Sequence, residues 1–199
     1  MKPHYIIVLA IYFLPELSLA HVESGIKGDG GFISGLSHPV TGVDHILAMV
    51  AVGLWGAILR APAIWMLPVV FPLIMTVGAV LGVLDIQLPG IDIGIAASAI
   101  FLGLMVAFNV RLPLIIAFSA ISIFAVFHGH PHGTALPDFG VPLHYAFGFV
   151  LSTGLLHLSG ILLGCLYKWP AGQMIVKSFG VMIALGGLYF LINAFNTMP

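Results

Sequence analysis

"SHPVTGVDHILAMV", residues 37–50, sets His38, Asp44 and His45 at the threshold of a long apolar run. Two imidazoles and a carboxylate are costly to carry into hydrocarbon, so the stretch needs a use. The apolar run continues to Leu59, and stretches of about 20 such residues, long enough to cross ~30 Å of hydrocarbon, recur along the chain. The whole composition agrees. Of 199 residues, 60% are hydrophobic and only 7% charged, against roughly 25% charged in a soluble domain. The fold expected is all-α, a polytopic membrane helical bundle.

Glycine, proline and charge serve as punctuation. They place six transmembrane helices near 40–59, 63–84, 92–109, 112–129, 142–167 and 174–196, joined by short turns, in one domain over residues 21–199. Residues 1–20 read as a signal peptide: Lys2, the apolar "YIIVLAIYFL", then "LSLA" with Ser18 and Ala20 at the −3 and −1 positions. Cleavage would leave His21 as the mature N-terminus; an uncleaved anchor is the alternative, since Pro15 and Glu16 blur the boundary. The first, third and fifth turns hold Arg60, Arg111 and Lys168, whereas the second and fourth hold Asp85, Asp92 and Asp138. The positive-inside rule makes the basic turns cytoplasmic. That agrees with the signal peptide and places "SHPVTGVDH" and "HGHPHG" on the same, outer face. Lys27 is the exception.

Several classes find no support. Net charge is −1 with no basic block, so nucleic-acid binding has no footprint. Cys165 is the single cysteine, excludes an internal disulfide, and reads as a small packing residue. The pairs Gly78/Gly82 and Gly160/Gly164 permit close helix crossing, while Pro68, Pro72 and Pro113 bend spans or mark their ends.

The nine histidines carry the information. His38, His45, His128, His130, His132 and His144 all fall on the outer face. Neutral imidazole suits Ni²⁺, Co²⁺, Cu²⁺ and Zn²⁺ better than Mg²⁺ or Ca²⁺, so a borderline divalent cation is the expected ligand. On a straight helix His38 and His45 would stand about 10 Å apart in height, too far to share one ion. Pro39 and Gly42 suggest instead a re-entrant turn that folds His38 back toward His45. Asp44 could bind directly or accept an imidazole N–H from a ligand. Met49, one turn below His45, offers a thioether or ordinary packing, and packing is favoured. The second cluster reads as a Gly-rich turn in which His130 and His132 could form a loose collecting site. His157, mid-span in "STGLLHLSG", is either a step on a path or a neutral histidine bonded to a neighbouring helix. His21 would chelate through its α-amine if cleavage exposes it.

The His-x5-Asp-His pattern of His38, Asp44 and His45, continuing as "ILAMVAVGLWGA", resembles the signature of the HupE/UreJ family. These are small bacterial membrane proteins associated with hydrogenase and urease maturation and regarded as secondary nickel or cobalt permeases. The family's second motif, Phe-His-Gly-x-Ala/Val-His-Gly-x-Glu, is similar to "FHGHPHGTA", residues 127–135. Phe127, His128, Gly129, His132 and Gly133 match. Pro131 replaces the small aliphatic residue, and Ala135 stands where the family has Glu. Either Asp138 resupplies the carboxylate or the site is dominated by histidine. The resemblance implies that His38, Asp44, His45, His128 and His132 handle the metal, with Ni²⁺ or Co²⁺ as transported substrate and no prosthetic cofactor. It also implies lipid surroundings and maturation proteins of hydrogenase or urease as partners. A non-transporting membrane sensor and an intramembrane metal hydrolase are the rival classes. The second lacks both a Glu in the spans and a His-Glu-x-x-His helix.

Overall fold

The computed structural model describes residues 31–135 and 142–197. The signal-like segment, His21, Lys27 and Asp138 lie outside them. The described residues form helices α1 (Phe32–Thr41), α2 (Val43–Leu59), α3 (Ala63–Val83), α4 (Ile91–Ala107), α5 (Leu114–Thr134), α6 (Pro142–Cys165) and α7 (Pro170–Asn196). A single 3₁₀ turn, Leu166–Lys168, links the last two.

Among the described residues, four helical stretches are long and apolar enough to cross a membrane: Ala63–Val83, Leu114–Thr134, Leu143–Lys168 and Pro170–Asn196. The α1–α2 pair adds a fifth if it counts as one broken span. Helix α4, at 17 residues, sits at the short end of the ~17–25 residues that a crossing takes. Large apolar side chains such as Leu73, Ile115, Leu162 and Leu185 point outward, as expected where the surroundings are lipid.

Three expected spans need correction. The first, placed at 40–59, is two helices bent by 85°. Gly42 breaks them with extended backbone (φ −94°, ψ 116°), and α1 turns aside to pack along the start of α6. Pro39 lies inside α1 and does not end it. The fourth, placed at 112–129 with a Gly-rich turn after it, instead runs helically to Thr134 with Pro131 inside. An interior proline removes one backbone donor, which leaves the Phe127 carbonyl without its helical partner but does not stop the helix. Helix α7 also begins earlier than the expected 174, at Pro170, because proline is well suited to the first turn.

Glycines set the layering. A Cβ on Gly78 or Gly82 of α3 would overlap the Val126 or His130 carbonyl of α5, and one on Gly160 would overlap the Val50 carbonyl of α2. Gly164 packs against the Ala57 methyl group of α2. The expected close crossings are therefore present. Arg60, Arg111 and Lys168 follow the ends of α2, α4 and α6, at the end of the bundle opposite His38, His45, His128 and His132.

Candidate metal centre

Helix α5 carries two adjacent stripes. His128 and His132, four residues apart, project from one face. Gly129 and Gly133, one step around, are pressed onto the Met75 and Ala79 carbonyls of α3. Backbone contact with α3 thus sets the rotation of α5 and turns the imidazole stripe inward, toward α1 and α2.

His45 enters from the first turn of α2. Its ring centroid lies 4.8 Å from that of His132 and 5.4 Å from that of His128. His38 arrives from α1, with its ring 4.9 Å from His132 and its Nε2 3.1 Å from His132 Nδ1. The 85° bend is what makes this meeting feasible. Phe149 of α6 forms a common wall, 4.7 Å from His132, 5.8 Å from His45 and 6.1 Å from His38. Tyr145, one turn earlier, faces His38 at 6.0 Å. The four imidazoles make a chain, His38–His132–His45–His128, whose two most buried members, His45 and His128, are 6% and 1% exposed.

The partners of each ring determine what it can offer. His128 Nε2 lies 2.8 Å from Ser98 Oγ on α4. His130 donates Nε2–H to the Ile86 carbonyl at 2.9 Å, since a carbonyl can only accept. His45 Nε2, His128 Nδ1 and His132 Nε2 are buried and find no hydrogen-bond partner among the described residues. An unpaired buried polar atom costs about 1–3 kcal/mol, so three gathered in one cluster are an expense that a ligand would offset. Imidazole nitrogens are good donors to borderline divalent cations, and the residues present fit such an ion. Among the described residues, however, no three His, Cys, Asp or Glu side chains converge as a ready-made metal cage. The nitrogens are strung along a line.

The other expected residues divide. Asp44 is half-buried in the first turn of α2 and acts electrostatically on His38, but makes no hydrogen bond to an imidazole among the described residues. Met49 is fully buried in the apolar core, as the packing reading has it. His130 is no loose collector in a turn: it points away from its neighbours at 128 and 132 and ties α5 to the segment after α3. His144 is exposed and outside the cluster. His157 is 1% exposed, on the far side of Phe71, whose ring lies 5.6 Å from His128 and 5.9 Å from His157. Among the described residues, neither His157 nitrogen finds a hydrogen-bond partner of good geometry. The backbone group acting on it is the Pro68 carbonyl, deprived of its helical donor because Pro72 has no N–H.

Sequence reasoning missed Ser98, Phe71 and Phe149, and read Gly129 and Gly133 as turn residues. The four-residue spacing of those glycines beside an equally spaced His pair was the available signal. Ser98, a lone hydroxyl in "IGIAASAIFLG", gave a weaker one.

A helical bundle with several membrane-crossing apolar helices and a buried line of imidazoles at one end defines a multi-pass membrane protein with a candidate cation-handling site. Comparison of sequences specifies it further. The HupE / UreJ protein family matches residues 9–190, and the chain belongs to that family. It is 42% identical over 185 residues to Protein HupE of Rhizobium leguminosarum bv. viciae, covering 93% of this chain and 95% of that protein. No solved structure matches it significantly.

Proposed function

We propose that this protein is a secondary permease that takes up Ni²⁺, with Co²⁺ next, across the bacterial cytoplasmic membrane. The observation that carries the reading is the position of His45. Its ring stands between His132 and His128 on another helix, buried, with Nε2 uncommitted. An entering ion exchanges water for imidazole nitrogen along the line from His38 to His128. A transported ion must also leave, which disfavours a closed cage, and a line of ligands on three helices answers that need. Asp44, beside the entrance, lowers the cost of the incoming double charge.

The six-span topology, with the His end periplasmic and Arg60, Arg111 and Lys168 cytoplasmic, follows the positive-inside rule. Membrane potential alone then favours entry by about 4.6 kcal/mol for a divalent ion at 100 mV. His157, beyond Phe71, is a further buried imidazole. The destination in this reading is maturation of hydrogenase or urease, as the family resemblance implies.

Uptake of radiolabelled Ni²⁺ and Co²⁺ into vesicles tests it. Wild type accumulates both, His45→Ala drops to the background of empty vesicles, and His144→Ala, altered on the exposed side of α6, retains wild-type uptake. Metal binding without flux would point to the sensor class, and uptake indifferent to His45→Ala would overturn the assignment.

A further inference from the structure

Ser98 lies on α4, outside both histidine motifs, and is fully buried. Its hydroxyl makes two close contacts: 2.6 Å to the Ile95 carbonyl and 2.8 Å to His128 Nε2. A hydroxyl has one proton and two lone pairs, and a carbonyl only accepts. The Ser98 proton is therefore committed to Ile95, and toward His128 the hydroxyl can only accept. His128 must donate, which places its proton on Nε2 and leaves Nδ1 as a bare lone pair. Nδ1 is the nitrogen that is buried with no partner among the described residues.

A buried serine in an apolar helix is satisfied by a backbone carbonyl three or four residues back, and Ser98 has that bond. The contact with His128 is additional. It crosses from α4 to α5 and reaches the ring that abuts His45. A metal ion binds the deprotonated nitrogen of a neutral imidazole, and the group bonded to the other nitrogen fixes which one that is.

We propose that Ser98 is a positioning residue of the cation path: it holds His128 as the Nε2–H tautomer and so presents Nδ1 to the divalent ion. The second half rests on the permease reading; the first does not. His130, with its proton held by the Ile86 carbonyl, has its tautomer set in the same sense but points elsewhere, so it serves as an internal reference.

Nitrogen-15 NMR of the full-length, histidine-labelled protein in lipid nanodiscs tests the proton placement without metal, with His128 assigned by the signal lost in His128→Gln. The wild type is expected to show a protonated Nε2 and an unprotonated Nδ1. In Ser98→Ala both nitrogens should move toward averaged values, with a melting temperature close to wild type, and Ser98→Thr should restore the wild-type pattern. Co²⁺ titration of the same samples, read by visible absorption, should weaken about 10–100-fold in Ser98→Ala, the range seen when a group orienting a ligand is removed, and recover in Ser98→Thr.

A wild-type His128 protonated on Nδ1 would overturn the inference outright, whatever the metal results and whether or not the variants fold. An unchanged tautomer in Ser98→Ala would do the same. The expected tautomer shift with undiminished Co²⁺ affinity would overturn the positioning role alone. Wild type with the expected tautomer and no Co²⁺ affinity would count against the permease reading and leave the proton assignment standing.

Discussion

The two histidine motifs reach the same place by opposite means. In "HPVTGVDH" the imidazoles are seven residues apart, and a continuous helix would hold them about 10 Å apart along its axis. The chain breaks at Gly42, α1 swings through 85°, and His38 is brought beside His132. In "HGHPHG" the imidazoles at 128 and 132 are four apart and already share a face, so an unbroken helix suffices. There the glycines do not bend the chain; they let two backbones touch. One motif uses irregular backbone to assemble its pair, the other uses packing to aim a regular one.

The largest expected effect comes from disturbing the packing side. In Gly129→Val the new side chain would overlap the Met75 carbonyl of α3, and neither backbone can yield without parting the helices. A loss of about 3 kcal/mol or more is expected, with a lowered melting temperature and uptake at background. Near-wild-type melting and uptake would show that α5 does not depend on α3 for its rotation.

On the other side, the bend depends on α1 lying against α6. A Cβ on Gly148 would overlap the Phe32 carbonyl, and one on Gly35 the Tyr145 carbonyl. Gly148→Val should lift α1 off α6 and withdraw His38, while α2, α3, α4, α5 and α7 remain packed. Uptake should fall by about 10–100-fold, the scale for disturbing groups that orient a ligand, with a smaller loss of melting temperature than in Gly129→Val. The reverse order of the two melting temperatures would mean that the broken element, not the continuous one, anchors the bundle.

These differences explain what the sequence made legible. The helical fold could be read because hydrophobicity and length are local properties, and the spans at 63–84 and 92–109 fall within two residues of the helices found. The bend at Gly42 was foreseeable because one ion cannot span 10 Å. The continuation of α5 through "GHPHG" was hidden because glycine and proline read as turn residues when taken singly. Only the Met75 and Ala79 carbonyls across the interface reveal why Gly129 and Gly133 are small. Ser98 and Phe149 belong to helices far away in sequence, and no spacing rule connects them to His128 or His132. Contacts made within one helix, and the glycine pairs that permit a close crossing, could be read; which residues meet across the crossing needed the fold.

The smallest effect is expected at Gly42 itself, and it separates two accounts of the bend. Its φ of −94° and ψ of 116° are open to any residue, so the break is not a conformation reserved for glycine. A Cβ there would come within 2.9 Å of Asp44 Oδ1, the tip of a side chain that can swing aside. Gly42→Ala adds roughly 1 kcal/mol of preference for continuing the helix, against docking of α1 along two close backbone contacts with α6. If docking holds the bend, uptake and melting temperature stay near wild type, and the glycine is merely permissive. If Gly42→Ala costs as much uptake as Gly148→Val, the bend resides in the hinge residue, and the first motif is assembled by local backbone freedom after all.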